Sequence, residues 1–81
     1  MSNYSIKKYI DVEVPLREFI AIRIVQLRKA KGLNQSELSD KITINRTSLC
    51  NIESGRQTLM LENLEEICQV LGCKSSDILP F

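Results

Sequence analysis

Two asparagines set the architecture of the middle of this chain. Asn34 and Asn45 each stand just before a short stretch with helical apolar spacing. Asparagine in that place accepts hydrogen bonds from the first free N–H groups of a helix. Glu37, three residues after Asn34, completes a capping-box variant. The first stretch, residues 35–41, turns Leu38 and Ile42 inward. The second starts near Asn45, carries Leu49 and Ile52 at i and i+3, and stops at Ser54-Gly55. Only a tight turn around Thr43 and Ile44 separates the two.

The flanking segments supply something for that pair to pack on. The spacing predicts a helix over residues 16–31, with Pro15 suited to its start and Gly32 to its end. Ile20, Ile24 and Leu27 form its core stripe. Lys29 and Lys31 suit the negative end of its dipole. Leu16, Phe19, Ile22 and Val25 form a second apolar stripe beside the first, and something must cover it. Ile10, Val12 and Val14 alternate with Asp11 and Glu13, the period of a short strand. After the middle pair, Leu61, Leu64, Ile67, Cys68 and Leu71 recur at helical spacing up to Gly72. Ser75 or Ser76 is suited to cap a last turn holding Ile78 and Leu79, and Pro80 closes it.

Short helices joined by a turn of three or four residues are the geometry of a helix-turn-helix. Its physical requirements are met one by one. Leu38 and Ile42 clamp the first helix on the core. Ser39 is small where the two backbones cross. Ile44 plugs the core after the turn. Leu49 and Ile52 bury one side of the second helix and leave Arg46, Thr47, Cys50 and Asn51 free on the other. Such side chains hydrogen-bond base edges or phosphates.

Charge is consistent with that use. Net charge is +1 over 81 residues, which alone says nothing about partners. Its distribution says more. Residues 28–58 carry six basic side chains against three acidic ones, and residues 59–81 carry one against four. The middle is suited to face a polyanion and the end is not. The chain is one domain at most, with a core small enough that close packing or oligomerisation must support it.

Several function classes fall away. There is no histidine, no Gly-rich phosphate loop and no arguable pair of nucleophile and base, so no enzyme and no cofactor is expected. Cys50, Cys68 and Cys73 match no zinc spacing and are read as reduced thiols. No stretch approaches the length of a membrane span, and the start has no signal-peptide pattern, so the expected location is the cytosol, on the nucleoid.

The run LNQSELSDKITINRTSLCNIESGRQTL, followed by LENLEEICQVLGCKSSDIL, resembles the phage-repressor and Cro-like helix-turn-helix family of the xenobiotic-response-element type. The resemblance covers residues 20–79. Its most specific elements are Leu33-x-Gln35-x-x-Leu38, Ile52-Glu53-x-Gly55, and Leu61-x-x-Leu64 with Leu71-Gly72. It implies an all-α, five-helix lambda-repressor-like bundle that binds double-stranded DNA, usually as a homodimer on a palindromic operator. By the same resemblance Gln35 contacts a phosphate and braces the recognition helix. Asn45, Arg46, Thr47 and Asn51 touch bases or nearby phosphates, and Arg28 and Glu53 form a structural ion pair. Thr43 departs from the family, since glycine is common there. A left-handed Thr would cost about 1 kcal/mol, so the turn is expected to differ in shape. Leu59 stands where proline is usual, so the following loop is expected to be less rigid.

The DNA-binding set expected from all of this is Asn34, Gln35, Asn45, Arg46, Thr47, Cys50, Asn51 and Arg56. Arg46 is suited to a guanine edge or to a phosphate in equal measure. Cys50 is read as a contact for a thymine methyl in preference to an oxidisable sensor. Arg56 is read as a phosphate contact. Residues 1–15 are expected to form an arm and residues 16–81 the DNA-binding domain. A single strand in the arm has unpaired edges, so two copies are expected to pair their strands and dimerise; the alternative is an arm packed on its own helix. The expected function is transcriptional regulation, as a repressor or autoregulator of a phage, mobile-element, restriction-control or antitoxin operon. The other reading is a protein-interaction module that keeps the bundle without the DNA contact.

Overall fold

A computed structural model describes residues 16–80. Among them the chain is all-helical. Helix α1 spans Leu16–Ala30, α2 Gln35–Ser39, α3 Arg46–Glu53 and α4 Leu61–Leu71, and a one-turn 3-10 helix spans Ser75–Asp77. The strand expected within residues 9–14 lies outside the described residues.

One core joins all of these elements. α1 buries Ile20, Ile24 and Arg28 at i, i+4 and i+8, with Ala21 beside them. The stripe therefore ends on a charged side chain, and Leu27 sits half-buried at its edge. Leu38 enters from α2, Leu49 and Ile52 from α3, and Leu64, Ile67 and Leu71 from α4. Ile78, fully buried, closes the core from the C-terminal side. Ile42, Ile44 and Leu59 are half-buried against the same cluster.

The helix ends explain the short lengths. After Ala30, Gly32 takes a left-handed conformation at φ +78°. The Leu33 N–H then reaches back to the Arg28 carbonyl at 3.1 Å and the Gly32 N–H to Lys29 at 2.9 Å, a Schellman end. α2 stops at Ser39, short of the expected residue 41. From there the Lys41 and Ile42 N–H groups bond carbonyls only three residues back, at 3.0 and 3.4 Å. The tightened turn cannot continue an α-helix.

Three further expectations are corrected. The fifth helix is a single 3-10 turn, because Pro80 has no N–H with which to extend it. Its cap is Asp77, whose Oδ2 accepts from the Lys74 N–H at 2.9 Å, in place of a hydroxyl from Ser75 or Ser76. Leu61 does not join the core stripe of α4; it is 78% exposed, beside Met60 at 61%. Leu61 is the first residue of α4, and a helical side chain leans toward the N-terminus, here past the end of the core. On the second stripe of α1, Leu16 packs against the core, Phe19 and Val25 are half-buried, and Ile22 is 51% exposed.

Candidate nucleic-acid interface

The candidate interface is the outer face of α3. Asn45 caps it from an extended backbone (φ −79°, ψ 171°), its Oδ1 accepting from the Ser48 N–H at 2.8 Å. That bond satisfies one of the free donors of the first turn. Leu49 and Ile52 hold the inner face at 0% and 2% exposure. The helical period then turns Arg46, Thr47 and Cys50 fully outward and leaves Asn51 half-buried at the edge. The one acidic residue of α3, Glu53, points away from this face.

Glu53 belongs to the network that seats the helix. The Arg28 Nε donates to Oε2 at 2.8 Å and its Nη2 to Oε1 at 2.9 Å, a two-pronged ion pair. The Arg28 Nη1 donates to the Leu33 carbonyl at 2.8 Å. Gln35 adds a fourth bond, Nε2 to Glu53 Oε1 at 2.9 Å. The two charged side chains are only 9% and 3% exposed, and every donor drawn into the pocket meets an acceptor. Three elements, α1, α2 and α3, are thus locked at one point. The Gln35 bond ties the start of α2 to the end of α3. Asn34 is bound into its capping box: its Oδ1 accepts from the Glu37 N–H and its own N–H donates to Glu37 Oε1, both at 2.8 Å.

The far end of α3 turns sharply. Gly55 has φ +79°, and the Arg56 N–H returns to the Asn51 carbonyl at 2.9 Å. A Cβ at Gly55 would stand 3.1 Å from the Glu18 Cγ, so the loop runs close against the start of α1. Arg56 is exposed beyond that turn. Its carbonyl accepts from the Arg17 Nη1 at 3.2 Å, which brings a second guanidinium to this edge that sequence reasoning did not single out. Neither Arg46 nor Arg56 has a carboxylate partner among the described residues.

The turn before α3 holds the second omission. Thr43 is not left-handed, since no residue other than glycine has positive φ among those described. Instead its N–H and Oγ1 both donate to Glu66 Oε1, at 3.2 and 2.9 Å. The Asn63 Nδ2 reaches the same oxygen at 3.3 Å and Thr43 Oγ1 at 3.5 Å. The Thr43 N–H, then its hydroxyl, hold the Glu66 carboxyl below its ordinary value; burial opposes them, and the bond from Asn63 adds a weaker pull downward. The sequence marked Thr43 as a turn expected to differ in shape, but nothing in the spacing of α4 showed that Glu66 and Asn63 would bond to it.

The three cysteines are free thiols. Cys50 is exposed on α3. Cys68 and Cys73 stand together at the end of α4, where the Cys73 N–H bonds the Cys68 carbonyl at 3.0 Å. Burial, and then the neighbouring Cys73, push the Cys68 thiol up to about 11, so it stays protonated at neutral pH. No helix among the described residues is long and apolar enough to cross a membrane.

Comparison with known proteins agrees with this geometry. A helix-turn-helix family model matches residues 24–78. The chain is similar to the control protein C.BamHI of Bacillus amyloliquefaciens, at 30% identity over 67 residues, 82% of this chain and 83% of that protein. It superposes on the clp gene regulator ClgR of Corynebacterium glutamicum with a TM-score of 0.78 and 28% identity, over 83% of this chain and 71% of that one. It also superposes on the restriction-modification controller protein C.Esp1396I, solved as a tetramer in complex with its natural 35 base-pair operator. There the TM-score is 0.66 and the identity 29%, over 73% of this chain and 78% of that one.

Proposed function

The chain belongs to the helix-turn-helix family, and from that premise we propose that it represses a promoter by seating α3 of each of two copies in the major groove of a palindromic operator. It is a DNA-binding transcriptional regulator. The observation that carries the finer reading is the outer face of α3. Arg46, Thr47 and Cys50 are exposed there, and the helix's only carboxylate is turned inward onto Arg28. Such a face offers donors to an anionic groove with no like charge of its own to repel it.

In this reading Arg46, Thr47, Cys50 and Asn51 face base edges. Asn34, Gln35, Asn45 and Arg56 stand along the phosphate backbone on either side. Arg28 and Glu53 hold the frame. Asn34, Gln35 and Asn45 each have one polar atom engaged in the fold, so they act on DNA through the group left over. Residues 1–15 form the arm that helps two copies associate, and residues 16–81 form the DNA-binding domain. The similarity to C.BamHI and C.Esp1396I favours a restriction-control operon among those a regulator of this kind serves.

The test is selection of bound duplexes from a randomised pool, followed by affinity measurements on the enriched sequence. An inverted repeat should emerge. R46A should then lose roughly tenfold or more in affinity for it, since a two-pronged contact to a base is worth about 1–3 kcal/mol. A pool that stays random, or binding that depends on salt alone, would overturn specific recognition and favour a protein-interaction module.

A further inference from the structure

We propose that Glu66, which lies on α4 and outside the recognition surface, is a positioning residue for operator recognition, acting by tying the turn before α3 through Thr43. The inference rests on the DNA-binding reading above and concerns which residues aim the recognition helix.

α3 is held differently at its two ends. Its C-terminal end is fixed by the buried bonds among Arg28, Gln35 and Glu53. Its N-terminal end follows directly from the turn, and Arg46 and Thr47 stand there. The apolar anchors of the turn, Ile42 and Ile44, are only half-buried. Between them Thr43 is exposed, yet both of its donors converge on one oxygen of Glu66. Asn63, one turn back on α4, donates to that oxygen as well and keeps the carboxylate in place.

The consequence is geometric. α3 has eight residues, so it is only about 12 Å long. A shift of the turn at one end swings Arg46 while the far end stays pinned. Hydrogen bonds to base edges tolerate only a few tenths of an ångström around their usual length. Phosphate contacts made by long flexible side chains are less exacting. Loss of the tie should therefore cost discrimination more than general affinity for DNA. Thr43 has no positive φ, so this turn is held by bonds to Glu66 in place of a left-handed residue.

The experiment measures binding of full-length variants to the duplex enriched from the randomised pool and to a scrambled duplex of equal length. E66A should lose about tenfold on the enriched duplex and stay within twofold on the scrambled one, as expected for loss of hydrogen bonds to a charged acceptor; T43A, which keeps the backbone N–H bond to Glu66, should lose less on the enriched duplex and likewise spare the scrambled one. The double variant T43A/E66A should be no weaker than E66A alone, because E66A already removes both bonds from Thr43. E66Q keeps an oxygen that accepts from Thr43 and should recover most of the discrimination. Thermal melting of each variant identifies any that unfold at the assay temperature; if E66A does, E66Q and T43V decide the question in its place, with T43V weakening discrimination and E66Q preserving it. Wild-type discrimination in E66A, equal losses on both duplexes, or additive losses in the double variant would overturn the inference. A wild-type chain that enriches no sequence would overturn the DNA-binding reading, and this inference with it.

Discussion

At the scale of single residues, two carboxylates do most to shape the candidate interface, and they do so under opposite conditions. Glu53 is buried and paired. Removing Arg28 would strand it without a counter-charge, so R28A should destabilise the fold by about 3–5 kcal/mol, read from urea unfolding midpoints. Replacing Arg28 and Glu53 together by apolar residues of similar volume should cost much less, because no charge is then left alone. Equal losses in the two variants would show that packing, not charge pairing, dominates the site. Glu66 is only half-buried, has neutral hydrogen-bond partners in place of a counter-charge, and titrates lower in the folded chain than in the unfolded one. Its ionised form adds stability that is complete above the unfolded value, near 4.5, and is lost as pH falls through the lower folded value. Acid titration followed by circular dichroism should show this component in the wild type and not in E66Q. Superimposable stability curves below pH 4.5 would mean that the bonds to Thr43 do not favour the charged form.

At the scale of elements, the ends of the helices matter as much as their faces. Gly55 shows why. An alanine there would have to adopt a left-handed backbone, and its Cβ would press on the Glu18 side chain. G55A should therefore destabilise the chain by about 1–2 kcal/mol. It should also displace Arg56, which follows directly, and so weaken DNA binding at salt concentrations where the wild type binds. A melting temperature equal to that of the wild type would rule out this role for the turn. Such end signals were legible in the sequence. Asn34 with Glu37, Asn45, Gly32 and Ser54-Gly55 marked the boundaries of α1, α2 and α3 to within two residues, because capping chemistry is local. The inward residues Leu38, Leu49 and Ile52 were legible for the same reason, since a helical period is read from near neighbours. What escaped was set by distant packing. Leu61 fits the periodicity of α4 but lies beyond the core's edge. Glu66 and Arg17 gained roles only when the fold brought the turn and the loop beside them.

At the scale of the whole molecule, charge and apolar surface divide the chain into working faces. The basic excess lies in residues 28–58, which include α2, α3 and the loop that follows them. The acidic excess lies in residues 59–81, on α4 and its extension. A polyanion is thus favoured along the segment that holds α2 and α3 and disfavoured along the one that holds α4. The apolar surface bears on how two copies meet. Ile22 lies 51% exposed on α1, in the stripe that residues 9–14 were expected to cover. If the arm of one copy pairs with that of another, deleting residues 1–14 removes both the pairing edge and the cover from that stripe. The truncated chain should then sediment at half the mass of the intact protein at micromolar concentration. It should also bind a single half-site of the operator about as well as the intact protein does, while its preference for the full inverted repeat collapses. That loss follows because two half-sites bound by linked copies gain far more than either bound alone. The split between the two readouts matters. A truncated chain that loses half-site binding has lost its fold or its DNA contacts, and says nothing for the arm. An unchanged dimer with unchanged preference for the full repeat rules the arm out and moves the interface elsewhere, with the exposed pair Met60 and Leu61 at the start of α4 as the next surface to mutate.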